Sequence, residues 1–144
     1  MGESLFERSW NHLMDFIDCV KHAINGIGGL PILIRKGYLG TEESLVIYPL
    51  PGSAATREYM DGAKDINLNY EIAMKSKDEK KLEGALWLIS DYLDNLRDIT
   101  STDNSFTFNK LTITSKPFIN NYDNQGWLVF LLNFTANITT KEEL

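Results

Sequence analysis

The sequence predicts an α+β fold, with two helices packed on one face of a mostly antiparallel sheet. Three observations carry that expectation. Stretches opening at Ser4 and at Ser76 each set a capping residue three positions before an acid, then continue with apolar residues at spacings of three and four. Between them, Ile66 to Met74 alternates strictly between apolar and polar side chains. The closing segment, from Trp127, runs apolar through Leu132 and then alternates as far as Thr139.

In chain order, Ser4 and Glu7 form the first capping box, and Phe6, Trp10, Leu13, Ile17, Val20 and Ile24 form the buried stripe of a helix stopped by Gly26. Pro31 to Ile34 and Leu45 to Tyr48 then read as two short neighbouring strands, joined through a turn-rich stretch around Gly37 and Gly40. Ile66, Leu68, Tyr70, Ile72 and Met74 give the next strand one buried face. The second helix carries Leu82, Leu86, Ile89, Leu93 and Leu96 along one stripe and is expected to reach about Ile99. Trp87 and Tyr92 lie off that stripe, where they either widen it or offer aromatic area to a partner. Phe106 and Phe108 alternate, as do Leu111 and Ile113 in a shifted phase, which predicts a tight hairpin centred on Asn109. The last strand, Trp127 to Thr139, should be covered on both sides at its apolar end.

A length of 144 residues without an internal repeat implies one domain, 1–144. Such a domain buries roughly 68 to 70% of its unfolded surface, enough to fold without disulfides or a structural metal. The formal net charge of −6 argues against tight, nonspecific DNA binding. No segment approaches the roughly 18 apolar residues of a bilayer span, and the N-terminal stretch lacks the basic and apolar regions of a signal peptide. Met1-Gly2 fails as a myristoylation signal because Phe6 stands where Ser or Thr is needed. The single Cys19 cannot form an internal disulfide, and a reducing compartment fits.

Catalytic chemistry finds little support. His12, Asp15, Cys19 and His22 share one face of the first helix, but four side chains spread over nearly three turns cannot converge on one ion. That stripe, set opposite the apolar one, reads as a solvated or subunit-facing surface, and no metal is assigned. Cys19 and His22 are close enough to touch but lack a third, orienting group. Gly26 to Leu30 follows a helix and precedes a strand, the reverse of a phosphate-binding loop. Asp91, Asp94 and Asp98 fall on the wet face of the second helix. Neither a catalytic residue nor a cofactor is assigned.

Pro49 to Gly62 stands out as a long loop between strands, with no periodicity of its own. Pro49 and Pro51 stiffen its entry and Asp61-Gly62 supplies a turn at its exit. Arg57, Tyr59 and Met60 are residue types that anchor interfaces. The alternative is a loop folded back on its own domain.

Around this loop the sequence resembles a known family. The segments concerned are Ile47 to Ser53, Tyr59 to Gly62, Asn69 to Asp78, Ala85 to Ile89, Ser115 to Asn120 and Phe130 to Phe134. Together they resemble the small minor capsid proteins of tailed phages and prophages of Gram-positive bacteria, of the tail-terminator or head-to-tail joining type. The likeness runs from about Met14 onward, and residues 1–13 look like a variable extension. It implies a virion protein that assembles in the host cytoplasm as a ring, often a hexamer, at the end of the tail tube, meeting tail-tube and head-connector proteins with DNA passing through the lumen. It implies no active site. A ring requires one surface of each subunit to meet a different surface of the next, which makes Arg57, Tyr59, Met60 and Asp61 the subunit-interface candidates. Two rival readings make their own predictions. A small cytosolic enzyme requires a pocket holding Cys19 and His22 or the second helix's carboxylates, and a monomeric binding module requires the loop to lie on its own sheet without self-association.

Overall fold

The computed structural model of the chain describes residues 16–52, 54–101 and 106–140. Helix α1 occupies residues 16–25. The capping box at Ser4 and Glu7 and the stripe residues Phe6, Trp10 and Leu13 lie outside the described residues. Phe16, Ile17, Cys19, Val20 and Ile24 are buried, while Asp18 and His22 are exposed. Gly26 ends the helix, its N–H donating to the carbonyls of His22 and Ala23 at 3.1 and 3.2 Å. The burial of Cys19 corrects the expectation of a solvated polar stripe. A small apolar thiol one turn from Phe16 and beside Val20 widens the buried face instead.

The six-stranded sheet consists of β1 (Arg35–Lys36), β2 (Ser44–Pro49), β3 (Ala54–Glu58), β4 (Lys64–Ser76), β5 (Phe106–Tyr122) and β6 (Leu128–Thr140), in the order β1-β2-β4-β6-β5 with β3 also on β4. All pairings are antiparallel except β1 with β2. Residues 31–34 do not form the expected strand. The side-chain amide of Asn25 takes both backbone groups of Ile34, accepting from its N–H at 2.8 Å and donating to its carbonyl at 3.1 Å. That leaves Ile34 nothing to offer a neighbouring strand, and pairing begins one residue later, with Arg35 opposite Val46.

The alternation from Ile66 matches β4, which turns Leu68, Tyr70, Ile72 and Met74 into the core. β6 turns Phe130, Leu132, Phe134, Ala136 and Ile138 to the same side. Helix α2 (Glu79–Asp94) packs over that face through Leu82, Ala85, Leu86, Ile89 and Leu93, alongside the buried residues of α1. Its cap is Asp78, which accepts from the N–H of Lys81 at 3.2 Å, and Ser76 instead accepts from the N–H of Asp78. The helix stops five residues before Ile99, because Asn95 closes it: the backbone N–H and side-chain amide of Asn95 both donate to the carbonyl of Asp91. Trp87 is left largely exposed and Tyr92 packs against the core, so the two divide between the alternatives open for them.

The hairpin expected at Asn109 is absent. β5 is one unbroken 17-residue strand, and the change of phase is a register shift between Phe108 and Lys110. Asn109, skipped in the ladder, spends its amide on the side chains of Asn137 and Thr139, both at 2.9 Å. A bulge reverses which residues face the core, just as a turn would, without reversing the chain. The true turn is at Asp123 to Gly126, where the Asp123 carboxylate accepts from the N–H groups of Gln125 and Trp127. The apolar end of β6 is covered on both sides, as expected. Phe130 and Leu132 face the helices, and Leu131 joins Val46 and Ala73 on the opposite face, where Leu39, Tyr48 and Val129 pack around them.

Candidate assembly interface

The long loop is largely strand. β2 and β3 occupy successive stretches of the same edge of β4: Pro49 stands opposite Tyr70, the N–H of Leu50 reaches the carbonyl of Asn69 at 2.8 Å, and Ala54 stands opposite Asn67. The sequence concealed this because Ala54 to Glu58 has no alternation, and a register shift between Ala55 and Arg57 breaks what phase there is. The loop therefore lies on its own sheet, as the binding-module reading required. What projects is the turn at its end.

That turn has a stiff base and a bare apex. The Arg57 guanidinium lies 5.1 Å from the centre of the Tyr59 ring, and the Tyr59 hydroxyl donates to Asp65 at 2.9 Å. Asp65 also accepts from Thr139 on β6, so the arm is tied to the far side of β4. These two bonds, the one from Thr139 first, hold the Asp65 carboxyl below the usual range, and the same carboxylate pushes the Tyr59 phenol up. The Tyr59 N–H donates to Ala63 at 2.8 Å, Gly62 turns the chain at φ 90°, and Asp61 accepts from the N–H of Ala63 at 3.1 Å. Of the four candidates, Arg57, Tyr59 and Asp61 are engaged within the arm. Met60 is completely exposed at its apex.

The open face of the sheet divides in two. Near the arm it is a ladder of polar pairs: Asp65 with Thr139, Asn67 with Asn137 and Asn69 with Thr135. At the other end of β4, which is about 40 Å long, the face is apolar and aromatic. The Tyr38 ring lies tilted against that of Tyr48 with ring centres 5.2 Å apart, and Phe118, partly exposed, stands opposite Leu131. Trp127 completes the patch, with the ammonium groups of Lys75 and Lys77 at 5.0 and 4.9 Å from its ring centre. Sequence reasoning missed this second region. Its only signal was four lysines, Lys75, Lys77, Lys80 and Lys81, within seven positions of an acidic chain.

The sequence from residue 23 to residue 140 matches the family of bacteriophage tail terminator proteins. The chain belongs to that family. The match covers α2 and all six strands and begins inside α1. A search of curated proteins gives no match. A tail terminator is a structural protein of the phage tail and works through contacts with other tail and head proteins. No helix among the described residues is long and apolar enough to cross a membrane.

Among the described residues the catalytic constellations are incomplete. A groove of about 540 Å³ between α1 and the segment after α2 is lined by Asp18, Cys19, His22 and Asp98, among others, so Cys19, buried, and His22, exposed, share it. His12 and Asp15 lie outside the described residues, and no three potential ligands gather among the described ones. Asp94 is paired with Lys116 of β5.

Proposed function

We propose that this terminator closes the tail as a ring of identical subunits at the end of the tail tube, halting its growth and offering a surface to the head connector. The observation that carries the reading is the β3–β4 arm, whose base is locked by Arg57, Tyr59 and Asp65 and whose apex presents Met60 to solvent. An exposed methionine on a stiff support loses little freedom when it docks, which favours a contact with a neighbouring chain. Arg57, Tyr59 and Asp61 hold the arm in shape, and Met60 makes the contact. A net charge of −6 leaves few clamps for the phosphates of DNA moving through the lumen. Assembly takes place in the host cytoplasm, and the tail end suits the protein better than an inner-capsid station.

The pairing of β3 with its own sheet favours a second reading, a monomeric binding module. Light scattering across a wide concentration range separates the two. A ring gives a mass near a hexamer of the 16.4 kDa chain, lost on Met60→Asp and reduced on Tyr59→Ala. A strict monomer at every concentration would establish the module instead.

A further inference from the structure

Among the described residues, two exposed surface patches lie at opposite ends of the same strand. One is the Met60 apex, beside β4 residue Lys64. The other surrounds Trp127 and lies beside β4 residue Ser76. Both sit on or beside the open face of the sheet, away from α1 and α2. A contact that repeats around a closed ring must join two different patches of one chain.

Their chemistry is complementary. The arm from Arg57 to Asp65 carries three carboxylates against two cations, whereas Lys75 to Lys81 carries four lysines against two carboxylates. Among those lysines, Lys81 is paired with Glu43, while Lys75 and Lys77 crowd the same indole. Lys75 also donates to the carbonyls of Gly40 and Thr41, so it is held in place, but both of those partners are neutral. Two held ammonium groups on an aromatic floor suit an incoming carboxylate. The Tyr38–Tyr48 pair, Leu39 and Phe118 supply an apolar surface for a methionine. Met60 has the Asp61 carboxylate next to it and that of Glu58, paired with Lys64 at 3.4 Å, two positions back, so the tip joins an apolar side chain to acidic groups.

We propose that the patch formed by Lys75, Lys77 and Trp127 is the socket that receives the Met60 tip of the adjacent subunit. The proposal rests on the ring reading and names the receiving surface for it. Attraction between the acidic tip and the lysine rim sets the direction of insertion, and the apolar contact holds it. The tip enters from one neighbour while the subunit's own tip enters the next.

A charge exchange tests this directly. Met60→Lys places a cation at a fully exposed apex, and Lys75→Glu with Lys77→Glu makes the socket acidic. Each variant alone sets like charges against each other at every contact, and self-association should weaken by roughly tenfold or more. A one-to-one mixture restores attraction everywhere: the lysine tip meets the glutamate socket, and the wild-type tip meets the wild-type socket. The expected result is a monomer for each variant and a wild-type-like mass for the mixture, with melting curves showing both variants folded. Variants that keep the wild-type mass would overturn the socket and leave the ring standing. Monomeric variants whose mixture stays monomeric would also overturn the pairing, and a monomeric wild type would remove the ring and the socket together.

Discussion

Tyr70 offers the sharpest test of the packing. It is 1% exposed, and its ring lies 5.7 Å from that of Phe16 and 5.4 Å from that of Phe134, measured between centres. Its hydroxyl is buried with no hydrogen-bond partner among the described residues. A buried, unsatisfied hydroxyl costs about 1–3 kcal/mol, and Tyr70→Phe removes it while leaving the ring contacts and opening almost no cavity. The variant should therefore gain about 1–2 kcal/mol, which raises Tm by roughly 3–8 °C in a domain of this size. In urea the midpoint should rise with the slope unchanged. The pH dependence gives an independent readout. Burial keeps the Tyr70 phenol protonated well above its ordinary range, so its contribution is complete below about pH 10 and is lost as rising pH ionises the unfolded chain but not the native one. Tyr70→Phe should make the alkaline decline shallower. It should not abolish it, because burial and the bond to Glu71 push the Tyr48 phenol up in the same direction. Equal or lower stability in the phenylalanine variant would refute the reasoning, since it would mean the hydroxyl is satisfied.

Four further outcomes are expected. Ser90→Ala removes the other unpartnered buried hydroxyl, and improves helix propensity within α2, so thermal melting should show a gain of about 1 kcal/mol. Asp78→Ala deletes the cap of α2 and should cost about 1 kcal/mol in denaturant melts, with Asp78→Asn nearly neutral. Gly52→Ala should cost about 1–2 kcal/mol, because Gly52 sits at φ 101° and an added Cβ would meet the Asn69 amide at 3.0 Å; an unchanged Tm would show that the kink between β2 and β3 is soft. Lys81 and then Ser76 hold the Glu43 carboxyl below its ordinary value, a contribution present above the usual carboxylate range and lost as pH falls through the lowered value. Glu43→Gln should flatten the acid limb of the stability curve, and an acid limb identical to wild type would rule that linkage out.

The parts of the fold that the sequence made legible are those whose pattern is local. The alternation of β4 and the stripe of α2 survive in the structure because consecutive turns or pleats of one element face one core. Where the reading failed, a local pattern had two physical causes. The phase change at Asn109 fits a turn or a bulge equally well, and only the pairing of Phe106 with Thr140 and of Tyr122 with Leu128 shows β5 to be continuous. Likewise, Pro31 to Ile34 has strand composition, but an asparagine nine residues earlier takes the backbone bonds that a strand would need. The arm reads from the sequence as a loop and not as a strand, because β3 owes its form to the edge of β4 that β2 leaves open rather than to any preference of Ala54 to Glu58.

By itself the sequence determined the fold class and the core-facing residues of β4, β6 and α2, since hydrophobic period acts over a few residues. The tertiary structure alone decided which arm residues are occupied internally and which are offered outward. It tied Tyr59 and Arg57 to the arm's own base through Asp65 and Thr139, left Met60 bare, and brought Trp127 beside Lys75 and Lys77 across the ladder of β4 and β6. The contacts of Asp65 with Thr139 and of Trp127 with Lys75 and Lys77 join residues fifty or more positions apart, and no local pattern encodes them, because they exist only once strand register has been set.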